Sequence, residues 1–254
     1  GRLDIVLAPS EVVGQVNWYE CPVSPLTSTN WVEHLVGSNV SSTHDVHTVD
    51  MDKDGALDVV CSEFRDGGRL LIFRNDGGAT AWTPQTVGST VLHNAAVGDI
   101  DGDGDADVFG VQAFGVAPVE VWQNDLPAGT GILTLDNWTY IPVDNGRAAQ
   151  EFGMGFGDGT GDGFLDIASG GYFYKNPGTT MTGAWSRITL SGSPDANFIT
   201  DVDGDANCDI IAQELPNLVW HEATSAGATS FTPLTVATGI AATGHGSSQG
   251  FAMG

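Results

Sequence analysis

Short apolar runs alternate along the chain with polar stretches rich in Gly, Pro, Asn and Asp. After Asp58 come Val59 and Val60, then RLLIFRN (69–75), WTPQTV (82–87) and HNAAVG (93–98), each bounded by turn residues. β-branched and aromatic residues fill these runs. No segment carries the three-to-four spacing of an amphipathic helix, so the pattern predicts an all-β chain.

The polar stretches are related to one another. DMDKDGALDVV begins at Asp50, DIDGDGDADVF at Asp99, DGTGDGFLDIA at Asp158 and DVDGDANCDII at Asp201. The starts lie 49, 59 and 43 residues apart, a spacing in the range of propeller blades. An aromatic–x–Asn/Glu signature recurs at Trp18-Tyr19-Glu20, Phe73-Arg74-Asn75, Trp122-Gln123-Asn124, Tyr174-Lys175-Asn176 and Trp220-His221-Glu222. An aromatic with an aliphatic five residues on follows, at Trp31/Val36, Trp82/Val87, Trp138/Val143, Trp185/Leu190 and Phe231/Val236.

These features coincide in five units of four short strands. Such units arranged radially make a β-propeller, in which runs of small residues such as HNAAVG suit the crowded innermost strand. Residues 1–254 therefore read as a single propeller domain of five four-stranded blades, with LPAGTGILTLDN (126–137) as a loop insertion. The chain starts at Gly1-Arg2-Leu3-Asp4-Ile5-Val6, which matches the second half of a loop and the strand after it, and ends at QGFAMG, which matches an innermost strand. Pairing of the two termini closes the ring in this reading and removes its open edges. The alternative is a piece of a longer propeller.

A composition 41% hydrophobic and 9% aromatic is enough for a core and excludes a solvating acidic tail. No apolar run reaches 18 residues, and GRLDIVLAPS has no targeting pattern, so no membrane insertion is expected. The net charge of -24, from 32 acidic residues against 8 Lys and Arg, repels nucleic acid and anionic membrane surfaces. Cys21, Cys61 and Cys208 lack metal-type spacing and read as small apolar fillers, with one disulfide pair as the alternative. The sequons at Asn39 and Asn137 matter only in a eukaryotic secretory pathway.

The spacing D-x-D-x-D-G-x-x-D places carboxylates at loop positions 1, 3, 5 and 9, where a tight turn makes them converge. Gly55, Gly104 and Gly163 at position 6 permit the turn. Flexible, oxygen-only coordination is what Ca²⁺ takes, whereas Mg²⁺ demands a tighter octahedron and Zn²⁺ prefers His or Cys. The candidate ligands are Asp50, Asp52, Asp54 and Asp58; Asp99, Asp101, Asp103 and Asp107; Asp158, Thr160, Asp162 and Asp166; and Asp201, Asp203, Asp205 and Asp209. By analogy with other calcium loops, the backbone carbonyls of Ala56, Asp105, Phe164 and Asn207 add a ligand at position 7. Thr160 removes one charge and predicts a weaker site, and Ala206 stands where the glycine is expected. An EF-hand is excluded, since its loop is about twelve residues long and lies between helices. The alternative is a set of solvated acidic turns. Four aligned copies favour the cation, and four Ca²⁺ would move the net charge from -24 to about -16.

On these loops and their spacing the chain resembles the FG-GAP/VCBS-type repeats of integrin α-subunit propellers and many secreted bacterial and fungal proteins. The resemblance covers essentially the whole chain. It implies a propeller with Ca²⁺ between the first and second strands of each blade, on one face. The family includes adhesion modules, lectins and propeller domains attached to sugar-acting enzymes, so the fold alone does not choose the activity.

Six residues upstream of each loop stand His44, His93, Phe152, Asp195 and Gln249, with Asp45, Asn94 and His47 adjacent and His245 nearby. In a ring these face the channel mouth opposite the metals. They act either as strand caps or, through His44, His47 and His93, as bases or ligands. His34 and His221 read as surface residues of outer strands. The recurring tryptophans read as inter-blade core, which leaves Tyr19, Tyr172 and Phe114 as sugar-stacking candidates. No P-loop or HExxH is present. The expected function is a non-catalytic calcium-binding module of an extracellular protein (secreted or cell-surface, with the periplasm as an alternative). Its expected partner is carbohydrate or another surface protein. The alternative is a carbohydrate-active enzyme domain, a lyase or dehydratase, that uses the His44/His47/His93 rim.

Overall fold

Consecutive apolar runs pair with one another as antiparallel meanders. The computed structural model describes residues 2–65, 67–112, 118–126, 138–147 and 153–240, and among them every regular element is a strand. The first sheet holds β1 (Ile5–Leu7), β2 (Val13–Glu20) and β3 (Val32–Ser41). The second holds β4 (Thr43–Val49), β5 (Asp58–Glu63), β6 (Leu70–Asn75) and β7 (Trp82–Gly88). The third is β8 (Asn94–Gly98), β9 (Asp107–Val111), β10 (Val119–Asn124) and β11 (Trp138–Asp144). The fourth is β12 (Met154–Gly157), β13 (Asp166–Ser169), β14 (Tyr172–Lys175) and β15 (Ser186–Thr189). The fifth is β16 (Asp195–Thr200), β17 (Asp209–Glu214), β18 (Asn217–Ala223) and β19 (Phe231–Ala237).

Among the described residues four sheets have four strands, as expected of a blade, and the first has three. In each complete sheet the strand before the acidic loop leads, Gly/Ala-rich in β8 and β12, and the strand after the loop pairs with it. Among the described residues the first sheet has no such leading strand. Ile5 and Leu7 of β1 are 45% and 55% exposed, whereas every residue of the corresponding β5 is buried. The expected closing strand QGFAMG lies outside the described residues, as do the 127–137 insertion, Phe114, Asn137, Phe152, His245 and Gln249.

The chain divides into two compact units, residues 1–98, 105–112 and 122–140 in one and 99–104, 113–121 and 141–254 in the other. Inside the first unit, Val16, Val36, Val40, Val59, Leu71 and Phe73 pack one sheet on the next, and Met51, Val60, Leu70, Ile72, Leu92 and Val108 form a second cluster. Inside the second unit, Ala168, Phe173, Leu190, Ile199 and Ile210 do the same. Trp18 and Trp82 pack against the first of these clusters, and Trp122 and Trp138 against the second, as core rather than as exposed platforms.

A recurring seat joins neighbouring sheets. The Phe73 ring lies over Gly37 and the Trp122 ring over Gly88, so closely that a Cβ on either glycine would come within 2.1 and 2.2 Å of ring carbon. Tyr174 occupies the same strand position and donates its hydroxyl to Asp144 Oδ2 at 3.0 Å.

Candidate metal centres

Each acidic loop is shaped by residues with left-handed backbone at positions 4 and 6. Position 4 has φ of 59° at Lys53, 75° at Gly102, 73° at Gly161 and 84° at Gly204. Position 6 has 91° at Gly55, 89° at Gly104, 93° at Gly163 and 71° at Ala206. The turn aims the position-6 N–H at the position-1 carboxylate in all four loops. Gly55 donates to Asp50 (3.0 Å), Gly104 to Asp99 (3.1 Å), Gly163 to Asp158 (3.0 Å) and Ala206 to Asp201 (3.0 Å). Sequence reasoning anticipated position 6 and missed position 4, although three glycines there carried the signal. Ala206 is exposed and pays for left-handed backbone that costs an L-residue roughly 1–2 kcal/mol. Ala206→Gly is expected to raise stability by up to about 1 kcal/mol, once the glycine's extra unfolded freedom is subtracted, as a shift in urea midpoint.

The ninth-position aspartate ties each loop to its sheet. Its Oδ1 accepts a backbone N–H at 2.8 Å in all five units: Cys21 to Asp4, Asn75 to Asp58, Asn124 to Asp107, Asn176 to Asp166 and Ala223 to Asp209. Its Oδ2 accepts from the loop itself, from Met51 (2.8 Å) at Asp58, Thr160 (2.8 Å) at Asp166 and Val202 (3.1 Å) at Asp209. These bonds correct the register of the aromatic signature. Cys21 and Ala223, not Glu20 and Glu222, are the counterparts of Asn75. Tyr19 and His221 are therefore the counterparts of Phe73, and Trp18 and Trp220 are not.

Carboxylate oxygens of positions 1, 3 and 9 converge. Asp50, Asp52 and Asp58, then Asp99, Asp101 and Asp107, then Asp201, Asp203 and Asp209 each bring ligand atoms within 4.8 Å of one another. The position-5 aspartates stand outside these sets. Asp54, Asp162 and Asp205 instead accept the position-7 N–H of Ala56 (2.7 Å), Phe164 (3.0 Å) and Asn207 (2.8 Å), while Asp103 donates its own N–H to Asp101 at 3.2 Å. Thr160 breaks the set in the Asp158 loop, where Asp158 and Asp166 are the carboxylates at positions 1 and 9. The Asp105 side chain is buried, accepts the Leu126 N–H at 2.8 Å and pairs with Lys53, so it is not turned to a ligand role of its own.

The electrostatics fit a cation. Burial lifts Asp58 and Asp166 to about 6 despite the N–H bonds that pull them down, and neighbouring carboxylates add to the rise. Burial also raises Asp52, with Asp54 and Asp50 adding repulsion. A divalent ion would replace this repulsion with attraction. The donors are all oxygen, which suits Ca²⁺ rather than Zn²⁺.

At the far end of the leading strands from the loops, the candidate side chains bond within the chain. His44 Nε2 lies 3.0 Å from Glu11 Oε1, its ring meets His93 edge-on at 4.2 Å, and His93 Nδ1 bonds Asn94 Oδ1 at 2.6 Å. His47 turns away from this pair to bond the Ala95 carbonyl at 3.0 Å, while Asp45 Oδ2 accepts the Ala95 N–H at 2.8 Å. Asp195 accepts the Gly153 N–H at 2.6 Å. The strand-capping expectation therefore describes His47 and Asp195, and His44 and His93 form a separate pair. His34 is half-buried and stacks on Trp18 at 4.1 Å. His221 is fully buried, contrary to the surface reading, because it fills the slot that Phe73 fills in the second sheet. Tyr19 hydrogen-bonds Glu33 at 2.8 Å, and Tyr172 lies beneath the Arg187 guanidinium at 4.6 Å. All three cysteines are free thiols, and burial pushes Cys61 up to about 12.

No curated protein matches the chain. Residues 50–110, from the first complete acidic loop into the strand after the second, match the family model of the FG-GAP-like repeat.

Proposed function

We propose that the protein is a calcium-binding, propeller-like module of an extracellular protein whose partner is a carbohydrate or another surface protein. The observation that carries the reading is the threefold recurrence of one carboxylate set, positions 1, 3 and 9, in loops of one backbone shape. Asp50, Asp52 and Asp58, Asp99, Asp101 and Asp107, and Asp201, Asp203 and Asp209 would hold the ions, with position-7 carbonyls completing the oxygen shell. Extracellular modules work with loose calcium sites of about 10⁻⁴–10⁻³ M, which such exposed loops suit. The rim histidines support binding rather than turnover, since each already has a protein partner.

Calorimetric titration with Ca²⁺ should show three sites and a weaker fourth at the Asp158 loop. A chain that takes up no Ca²⁺ at millimolar concentration overturns the metal reading. Glycan-array binding with and without Ca²⁺ then tests the partner, and product formation from a bound glycan would favour the enzyme reading instead.

A further inference from the structure

The acidic loops are joined to one another by a repeated side-chain bridge. Asn124 uses its backbone N–H to bond Asp107 Oδ1, and its Nδ2 to donate both to the Ala106 carbonyl (3.3 Å) and to the Met51 carbonyl (3.0 Å) of the preceding loop. The Met51 N–H in turn donates to Asp58 Oδ2 at 2.8 Å. Two residues therefore connect the ninth-position aspartate of one loop to that of the next. Lys53 of the first loop adds an ion pair to Asp105 of the second.

The bridge recurs one step on. Asn176 bonds Asp166 Oδ1 through its N–H, and its Nδ2 donates to the Leu165 carbonyl (3.1 Å) and to the Ile100 carbonyl (2.9 Å). Met51 and Ile100, the bridged residues, are both fully buried. A third bridge is missing: its place in the fifth sheet is taken by Ala223, which has no amide to offer, and Val202 of the last loop is 39% exposed.

We propose that Asn124 and Asn176 couple cation binding between successive loops, while the Asp201 loop binds independently. The inference rests on the cation reading above. An ion that draws Asp58 into a fixed position also fixes the Met51 peptide, and through Asn124 the Asp107 carboxylate that the next ion uses. The reverse effect has equal size, because coupling of binding free energies is reciprocal. Burial of the bridged peptides matters, since a hydrogen bond away from water transmits a displacement that solvent would otherwise absorb.

Hydrogen exchange read peptide by peptide during a Ca²⁺ titration tests this. In the native sequence, amides of 50–58 and 99–107 should become protected at one common Ca²⁺ midpoint, with 201–209 at its own. Asn124→Ala should raise both of the first two midpoints by roughly twofold or more, since both loops lose the same coupling, taken at the lower end of measured values, about fivefold. Asn176→Ala should instead raise the midpoints of 99–107 and 158–166, which keeps the test available if one variant fails to fold. Unequal midpoints in the native protein, or unchanged ones in Asn124→Ala, overturn the coupling. Absence of protection by Ca²⁺ at every loop sinks the cation reading itself.

Discussion

Calcium should raise the melting temperature of the metal-free protein, and EDTA should reverse the rise. An ion bound only by the native state stabilises by about 2.7 kcal/mol per site at a hundredfold excess over Kd. In a chain of this size 1 kcal/mol moves the melting temperature by roughly 2–4 °C, so even one filled site gives a shift of about 5–10 °C. The metal-free loops have much to gain, since three of them gather three carboxylates each within 4.8 Å. Part of this is plain charge relief in a chain of net charge -24, which any salt supplies by screening. The measurement therefore compares Ca²⁺, Mg²⁺ and NaCl at equal ionic strength by differential scanning calorimetry. Ca²⁺ should exceed Mg²⁺, because irregular carboxylate loops cannot meet the octahedral demand of the smaller ion. Equal shifts with all three would reduce the loops to acidic turns.

Replacing His221 with phenylalanine stabilises the protein and flattens its acid sensitivity. His221 is 0% exposed, and neither ring nitrogen has a hydrogen-bond partner among the described residues. It sits between Ile210 and Pro233 as Phe73 sits between Val59 and Pro84, so the slot is already built for an aromatic hydrocarbon. A buried polar group without a partner costs about 1–3 kcal/mol, which His221→Phe removes. Burial also holds the imidazole below its ordinary value, with Glu214 opposing only in part. The unfolded chain then takes up a proton that the native state refuses, so stability is full above about pH 6.5 and falls as the pH drops toward the depressed folded value. Asp58 and Asp166, raised to about 6, act with the opposite sign: the metal-free native state holds their protons more tightly, and stability falls as pH rises through 6. Urea midpoints of the native protein and His221→Phe across pH 4–8 isolate the histidine as their difference. A difference that does not grow on acidification would remove His221 as a source of acid lability.

Much of the architecture was legible along the chain because it is local. Strand alternation and the loop motif depend on residues within about ten of one another, the repeat shows as recurrence of those local patterns, and the sheets follow the runs in order. The turn at Gly55, Gly104 and Gly163 was likewise a backbone requirement visible as residue type. What sequence matching misread is the pairing between distant strands. Trp18-Tyr19-Glu20 and Trp220-His221-Glu222 resemble Phe73-Arg74-Asn75 by type, yet the bonds from Cys21 to Asp4 and from Ala223 to Asp209 shift both by one residue. In a strand that shift exchanges the two faces, and it moves His221 from solvent to core.

The amino-acid sequence by itself determined the all-β class, the repeat and which oxygens are gathered near each loop, since these follow from period, turn chemistry and charge. Only the tertiary structure decided which of those oxygens converge. It turned position 5 back onto its own loop, gave Asp105 to Lys53, separated His47 from the His44–His93 pair and buried His221. The physical reason is the same in each case. A side chain's partner is chosen by strand register and by the neighbouring sheet, and neither is carried by the residues beside it in the chain.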